Sequence, residues 1–158
     1  MSVDLKDLTE RGLVARKRSD PNAVANWRDR SRSDIDLSRS VSDAFPARSL
    51  TIAYEAALRA CAGVLDLAGY RVRTQQGHHW AIIAAAGAVL GAPYLTVLKR
   101  VDDARKYRND DLYGDAAPPS TGQRDQAIAD AETLVAELES RLSAPRPAPS
   151  RRRPRGPR

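Results

Sequence analysis

In the run Arg105-Lys106-Tyr107-Arg108-Asn109-Asp110-Asp111-Leu112-Tyr113, Arg105 and Asn109 are four residues apart, as are Asn109 and Tyr113. On a helix this spacing stacks the three on one side, with Arg108 adjoining. Guanidinium groups in such a cluster bind phosphate through two parallel hydrogen bonds. The same stretch can also neutralise itself, because Asp102, Asp103, Asp110 and Asp111 are near enough for intrahelical salt bridges. A second candidate is Arg73-Thr74-Gln75-Gln76-Gly77-His78-His79, a polar loop leading into a helix. A helix start offers unpaired backbone N–H groups and a partial positive charge, which suit an anion. Arg73 adds charge there, and His78 is a side chain that exchanges protons near neutrality. The plainer alternative is that His78 packs or caps the helix start while Arg73 is solvated.

These residues need elements to position them. Leu5, Leu8, Leu13 and Val14 suggest a short helix that Asp20-Pro21 interrupts, and Asp20 is suited to cap a second helix opening at Pro21. That helix carries Val24, Trp27, Ile35 and Leu37 to about Asp43. From Pro46, the positions Leu50, Tyr54, Ala57, Cys61, Leu65 and Ala68 recur at steps of four and three, so one face is apolar until Gly69. Residues 70–77 read as a polar connection. Helices from about His78 to Leu90 and from Pro93 to about Tyr113 follow, the second with a stripe through Tyr94, Leu98 and Val101 that continues onto Arg105, Arg108 and Leu112. Gly114 stops it. Ser120 and Gln123 form a capping box for a last helix through Ile128, Ala131, Leu134, Val135, Leu138 and Leu142. No strand signal competes. The reading is all-α, a bundle of about five helices. It divides into an N-terminal helical extension at 1–19, the bundle at 20–142 and an Arg/Pro-rich tail at 143–158, expected to be disordered.

Composition narrows the function classes. The chain has 158 residues, 5% aromatic, so its core is built from Leu, Ile, Val and Ala. A single cysteine, Cys61, excludes an internal disulfide framework, and two adjacent histidines make a His-rich metal site an unexpected use. No metal and no cofactor are expected, and a reducing cytoplasm is the default compartment. The formal charge is +6, yet six of the 26 Lys and Arg lie at 146–158 without an acid (Arg146, Arg151, Arg152, Arg153, Arg155 and Arg158). The other 20 balance the 20 acids. The tail can grip phosphates or simply aid solubility. The 19 uncharged residues Trp80–Leu98 approach membrane-span length, but Gly87, Gly91 and Pro93 fit a junction between two core helices better, and no membrane is expected.

The stretch AYEAALRACAGVLDLAGYRVRTQQGHH at 53–79, followed by LKRVDDARKYRNDDLY at 98–113, resembles a HEPN domain, the higher eukaryotes and prokaryotes nucleotide-binding family. The similarity covers about residues 20–142. It rests on an Ala/Tyr-rich second helix ending in Gly-Tyr, a polar loop with His, and a late helix with Arg-Asn and a Tyr. The resemblance implies a bundle of four or five helices, commonly a homodimer. It implies action on RNA in a toxin–antitoxin or defence system, with many members metal-independent endoribonucleases leaving 2′,3′-cyclic phosphate. A nucleotidyltransferase-like antitoxin is the implied partner, and some members are non-catalytic.

The family signature is Arg, often followed by Asn, then His after four to six residues. Arg108-Asn109 fits its opening, but Tyr113 stands where the family has His. A phenol with an ordinary pKa of ~10 is a poor base at neutral pH, although it can donate a hydrogen bond to phosphate. Arg73 and His78 also satisfy Arg-x4-His, from a loop and a helix start. The resemblance thus nominates Arg108, Asn109, Tyr113, His78 and Arg73 for catalysis. Arg105, Arg151, Arg152, Arg153 and Arg155 are the expected nucleic-acid contacts.

Overall fold

A computed structural model describes residues 3–145; the tail arginines at 146–158 lie outside the described residues. Helix α1 spans Leu5–Glu10, followed by strand β1 at Val14–Arg16 and helix α2 at Pro21–Val41. Helix α3 runs Pro46–Leu67 and is followed by strand β2 at Tyr70–Val72. Helices α4 (His78–Leu90), α5 (Leu95–Leu112) and α6 (Thr121–Ser143) complete the described residues, with one 3₁₀ turn at Ala92–Tyr94. The architecture is the all-α bundle expected.

Local chemistry sets most boundaries. Asp20 accepts from the Ala23 backbone N–H at 3.2 Å and Pro21 opens α2. Ser120 and Gln123 exchange both bonds of a capping box at the start of α6. Gly91, at φ +79°, separates α4 from α5 where the uncharged run turns back on itself. Among the described residues no helix is long and apolar enough to cross a membrane.

Helix α3 is the hub, with α2, α4, α5 and α6 packed around it. Its buried positions are rich in alanine (Ala53, Ala56, Ala57 and Ala60), which lets neighbouring backbones approach. The serines of α2, unfavourable by propensity, serve the same approach. Ser31 and Ser38 are fully buried, and Ser38 and Ser49 each donate to the other's carbonyl oxygen at 2.7 Å. Their hydroxyls are satisfied across the α2–α3 contact rather than left to compete with the helix backbone. A Cβ at Gly63 would stand 2.9 Å from the buried Leu138 side chain, so α6 packs against bare backbone there.

Two expectations are corrected. The first helix ends at Glu10, so Leu13 and Val14 are not helical, and residues 70–72 are not a plain connection. Val14–Arg16 pairs antiparallel with Tyr70–Val72, Ala15 opposite Arg71, which satisfies backbone groups that the turns at Gly12 and Gly69 release from the helices. The N-terminal segment is built into the fold. Leu8 and Val14 form a small core with Leu65 and Ala85, and the Asp66 carboxylate takes the Asp20 backbone N–H at 2.8 Å together with the Lys17 ammonium.

Candidate functional site

Three helices meet around a groove of about 400 Å³. Glu55 and Arg59, one turn apart on α3, form one wall; His78, His79 and Ile82 from the first turns of α4 form another; Arg108 of α5 closes it. The structure therefore brings Arg108 and His78 together, although 30 positions separate them and two different motifs nominated them.

Gly77, at φ +66°, turns the 73–77 loop into α4 and aims both imidazoles. His78 Nδ1 lies 2.8 Å from the Thr74 carbonyl oxygen, which can only accept, so Nδ1 carries the proton and Nε2 keeps its lone pair in the neutral ring. His79 has the opposite arrangement. Its Nδ1 lies 3.0 Å from the hydroxyl of Tyr54, a residue 1% exposed. Burial holds the Tyr54 phenol far above its ordinary range despite the nearby Arg108 and Arg105 cations, and His79 Nδ1 is its one hydrogen-bond partner among the described residues, so the buried hydroxyl directs its hydrogen to that nitrogen. The neutral His79 ring then bears its hydrogen on Nε2. Burial, followed by repulsion from Arg108, His78 and Arg105, lowers the His79 pKa below the ordinary 6.5, against a smaller opposing pull from Glu55.

Nitrogen-edited NMR should find His79 as the Nε2–H tautomer, still mostly neutral at pH 6.5. Because the unfolded chain binds this proton more readily, His79 should withdraw stability as pH falls through 6.5 towards its lowered folded value. A His79 signal titrating at or above 6.5 would contradict the assignment.

The cations divide by partner. Arg105 is held by Asp102 at 2.7 Å, and Arg105 and Lys106 keep the Asp102 carboxyl below its usual range although its burial acts upward. The intrahelical neutralisation anticipated for this run thus applies to Arg105. It does not apply to Arg108, whose Nε is 3.8 Å from Glu55 Oε1 across the groove. That loose pair orients the guanidinium without occupying its fork.

Arg59 is tied to Asp34 at 2.6 Å.

Asn109 and Tyr113 are not among the groove residues. Tyr113 is 83% exposed and caps the end of α5, and Asp110, Asp111 and Asp115 beside it have no cation within 4 Å among the described residues. That end of the helix repels phosphate. Arg73 is exposed on the chain leaving β2, where its backbone N–H donates to the Leu13 carbonyl oxygen. Arg151, Arg152, Arg153 and Arg155 lie outside the described residues. Among the described residues no three His, Cys, Asp or Glu side chains converge on a point where a metal ion could be held.

Glu55, Arg59 and the Tyr54–His79 bond were not found from sequence. In the helical pattern Glu55 and Arg59 look like an ordinary polar face, and no spacing rule links residue 54 to residue 79. Another cavity, of about 330 Å³ between α5 and α6, is lined by Arg100, Tyr107, Gln126 and Asp130. Its charges are already engaged, Arg100 gripping Asp130 through two bonds of 2.7 and 2.8 Å. The α3–α4–α5 groove is the place where a cation with a free fork and two imidazole rings face one space. Comparison of the chain with protein-family models, curated proteins and solved structures gives no match.

Proposed function

We propose that the chain is a HEPN-type protein acting on RNA in a toxin–antitoxin or defence system, and that the α3–α4–α5 groove is its metal-independent endoribonuclease centre. The observation that carries this reading is the convergence of Arg108, His78 and His79 on one groove. The sequence resemblance supplies the substrate class, the cytoplasmic setting, the homodimer and the nucleotidyltransferase-like antitoxin partner.

In the mechanism, a ribose 2′-hydroxyl attacks the adjacent phosphorus while His78 Nε2 takes its proton. The P–O5′ bond breaks as the 2′-O–P bond forms, leaving a 2′,3′-cyclic phosphate. The departing 5′-oxygen takes a proton from solvent, and His78 later returns its own. Arg108 neutralises the charge on the non-bridging oxygens, and His79 Nε2–H donates to one of them. Glu55 is a positioning residue acting on Arg108. DNA lacks the attacking hydroxyl and is not a substrate by this route.

The test is incubation of the purified chain with end-labelled single-stranded RNA in EDTA. Fragments with 2′,3′-cyclic phosphate ends, absent with DNA of the same sequence, are the expected result. A second reading is a non-catalytic helical dimer docking on a nucleotidyltransferase-like partner. It is favoured by the exposure of Tyr113 at the family's His position. No cleavage by the folded protein would select it.

A further inference from the structure

Cations without a carboxylate partner gather mainly in one place in this bundle. Among the described residues six arginines have no carboxylate within 4 Å: Arg16, Arg18, Arg30, Arg48, Arg71 and Arg73. Four of these lie on or directly beside the two short strands. Arg71 and Arg73 are two apart on one chain and so project from the same outer face. Their cross-strand neighbours are the uncharged Ala15 and Leu13. On the opposite face of the ribbon, the Arg16 guanidinium lies 4.7 Å from the centre of the ring of its cross-strand partner Tyr70.

The nearby acids are committed elsewhere. Asp66 is 3% exposed and taken by Lys17 and the Asp20 backbone, and the Asp20 side chain caps α2. Since residues 1–145 carry no net charge, this ribbon is a local positive excess, set against the acidic end of α5. It also leads somewhere. His78 lines both the large groove with Arg108 and a neighbouring one of about 190 Å³ whose wall includes Tyr70 and Arg71. The ribbon and the groove are therefore one continuous surface with His78 between them.

We infer that the β1–β2 ribbon is the track that holds the sugar-phosphate backbone of single-stranded RNA and leads it past His78 into the groove. This rests on the RNA reading above and adds the surface that binds the strand outside the reacting centre. Arg71 and Arg73, side by side on one face and without a carboxylate partner, supply sequence-independent affinity, read as salt dependence.

The experiment is fluorescence anisotropy of the full chain with a labelled 20-nucleotide 2′-O-methyl oligouridylate, which binds but lacks the attacking hydroxyl. Arg71→Gln/Arg73→Gln should weaken binding roughly tenfold at low salt. It should also flatten the logarithmic salt slope by about 1–1.5, since each lost contact to a single strand removes ~0.7. Arg30→Gln/Arg48→Gln, an equal charge loss away from the ribbon, should stay within about twofold of wild type. If the first variant melts early, the single Arg73→Gln takes its place, with about half the change in slope. Equal behaviour of the ribbon and control variants would overturn the proposal. So would absence of RNA binding by wild type, or binding to phosphatidylserine vesicles in its stead. Because the probe is not cleaved, the two readings fail separately: ribbon-dependent binding without cleavage of ordinary RNA removes the ribonuclease, whereas cleavage with ribbon-independent binding removes the track.

Discussion

Arg108→Ala is expected to lower RNA cleavage by about 10²–10³-fold, the loss typical of removing one preorganised electrostatic contact to a transition-state oxyanion. Its melting transition should stay close to wild type. Among the described residues Arg108 makes one ion pair, 3.8 Å to Glu55, and both side chains are partly exposed, so the pair contributes no more than about 1 kcal/mol. Activity and stability should therefore separate. Arg108→Lys should restore little, because an ammonium supplies a point charge in place of a two-pronged fork. Tyr113→Phe, in contrast, should leave cleavage nearly unchanged, since that phenol stands exposed beside three unpaired aspartates. The measurement is the single-turnover rate of cyclic-phosphate formation alongside thermal unfolding. Cleavage at the wild-type rate in Arg108→Ala would remove the groove as the reacting centre. Loss of the folded state would make Arg108 a structural residue.

What the sequence disclosed about this fold was local. Asp20-Pro21, Gly69, Gly114 and the Ser120–Gln123 box are punctuated by chemistry within four residues, and the structure places helix ends at each. The apolar face of α3 was legible for the same reason, since its period is repeated over about five turns from Leu50 to Ala68. The ribbon was not. Three-residue strands are too short to display an alternation, and Ala15 and Arg71 are paired only because α1 docks on α4 and α2 on the hub. The site divides along the same line. His78 and Arg108 carry residue types that stand out, but their meeting depends on the α4–α5 turn at Gly91, and the Tyr54 bond to His79 depends on two helices packing. Tyr113 shows the converse: helical spacing put it on the side of Arg105 and Asn109, whereas α5 ends at Leu112 and releases it to solvent.

The most destabilising single polar change should be Asp66→Ala. This carboxylate, 3% exposed at the end of α3, joins three elements. It accepts the backbone N–H of Asp20, where α2 begins, and it pairs with Lys17, which follows β1 and lies 49 positions away. Truncation leaves a backbone donor and a partly buried ammonium without a partner. Each carries its own desolvation cost, and together they amount to about 2–4 kcal/mol. For a chain of this size that corresponds to a fall in melting temperature of roughly 5–15 °C. Asp66→Asn, which can still accept from the Asp20 N–H but loses the charge, should fall between. The loss should be local first. Amide exchange at residues 13–20 and 70–73 should accelerate more than in α3 or α6, because β1 is held to the bundle by this carboxylate, by the small Leu8–Val14 core and by its pairing with β2. Uniform acceleration across all helices would mean that Asp66 supports the whole bundle, and an unchanged melting transition would mean that water replaces the lost partner. If the ribbon loosens as expected, RNA affinity should fall with it although no arginine has been touched, because a track holds phosphates only while its strands stay paired.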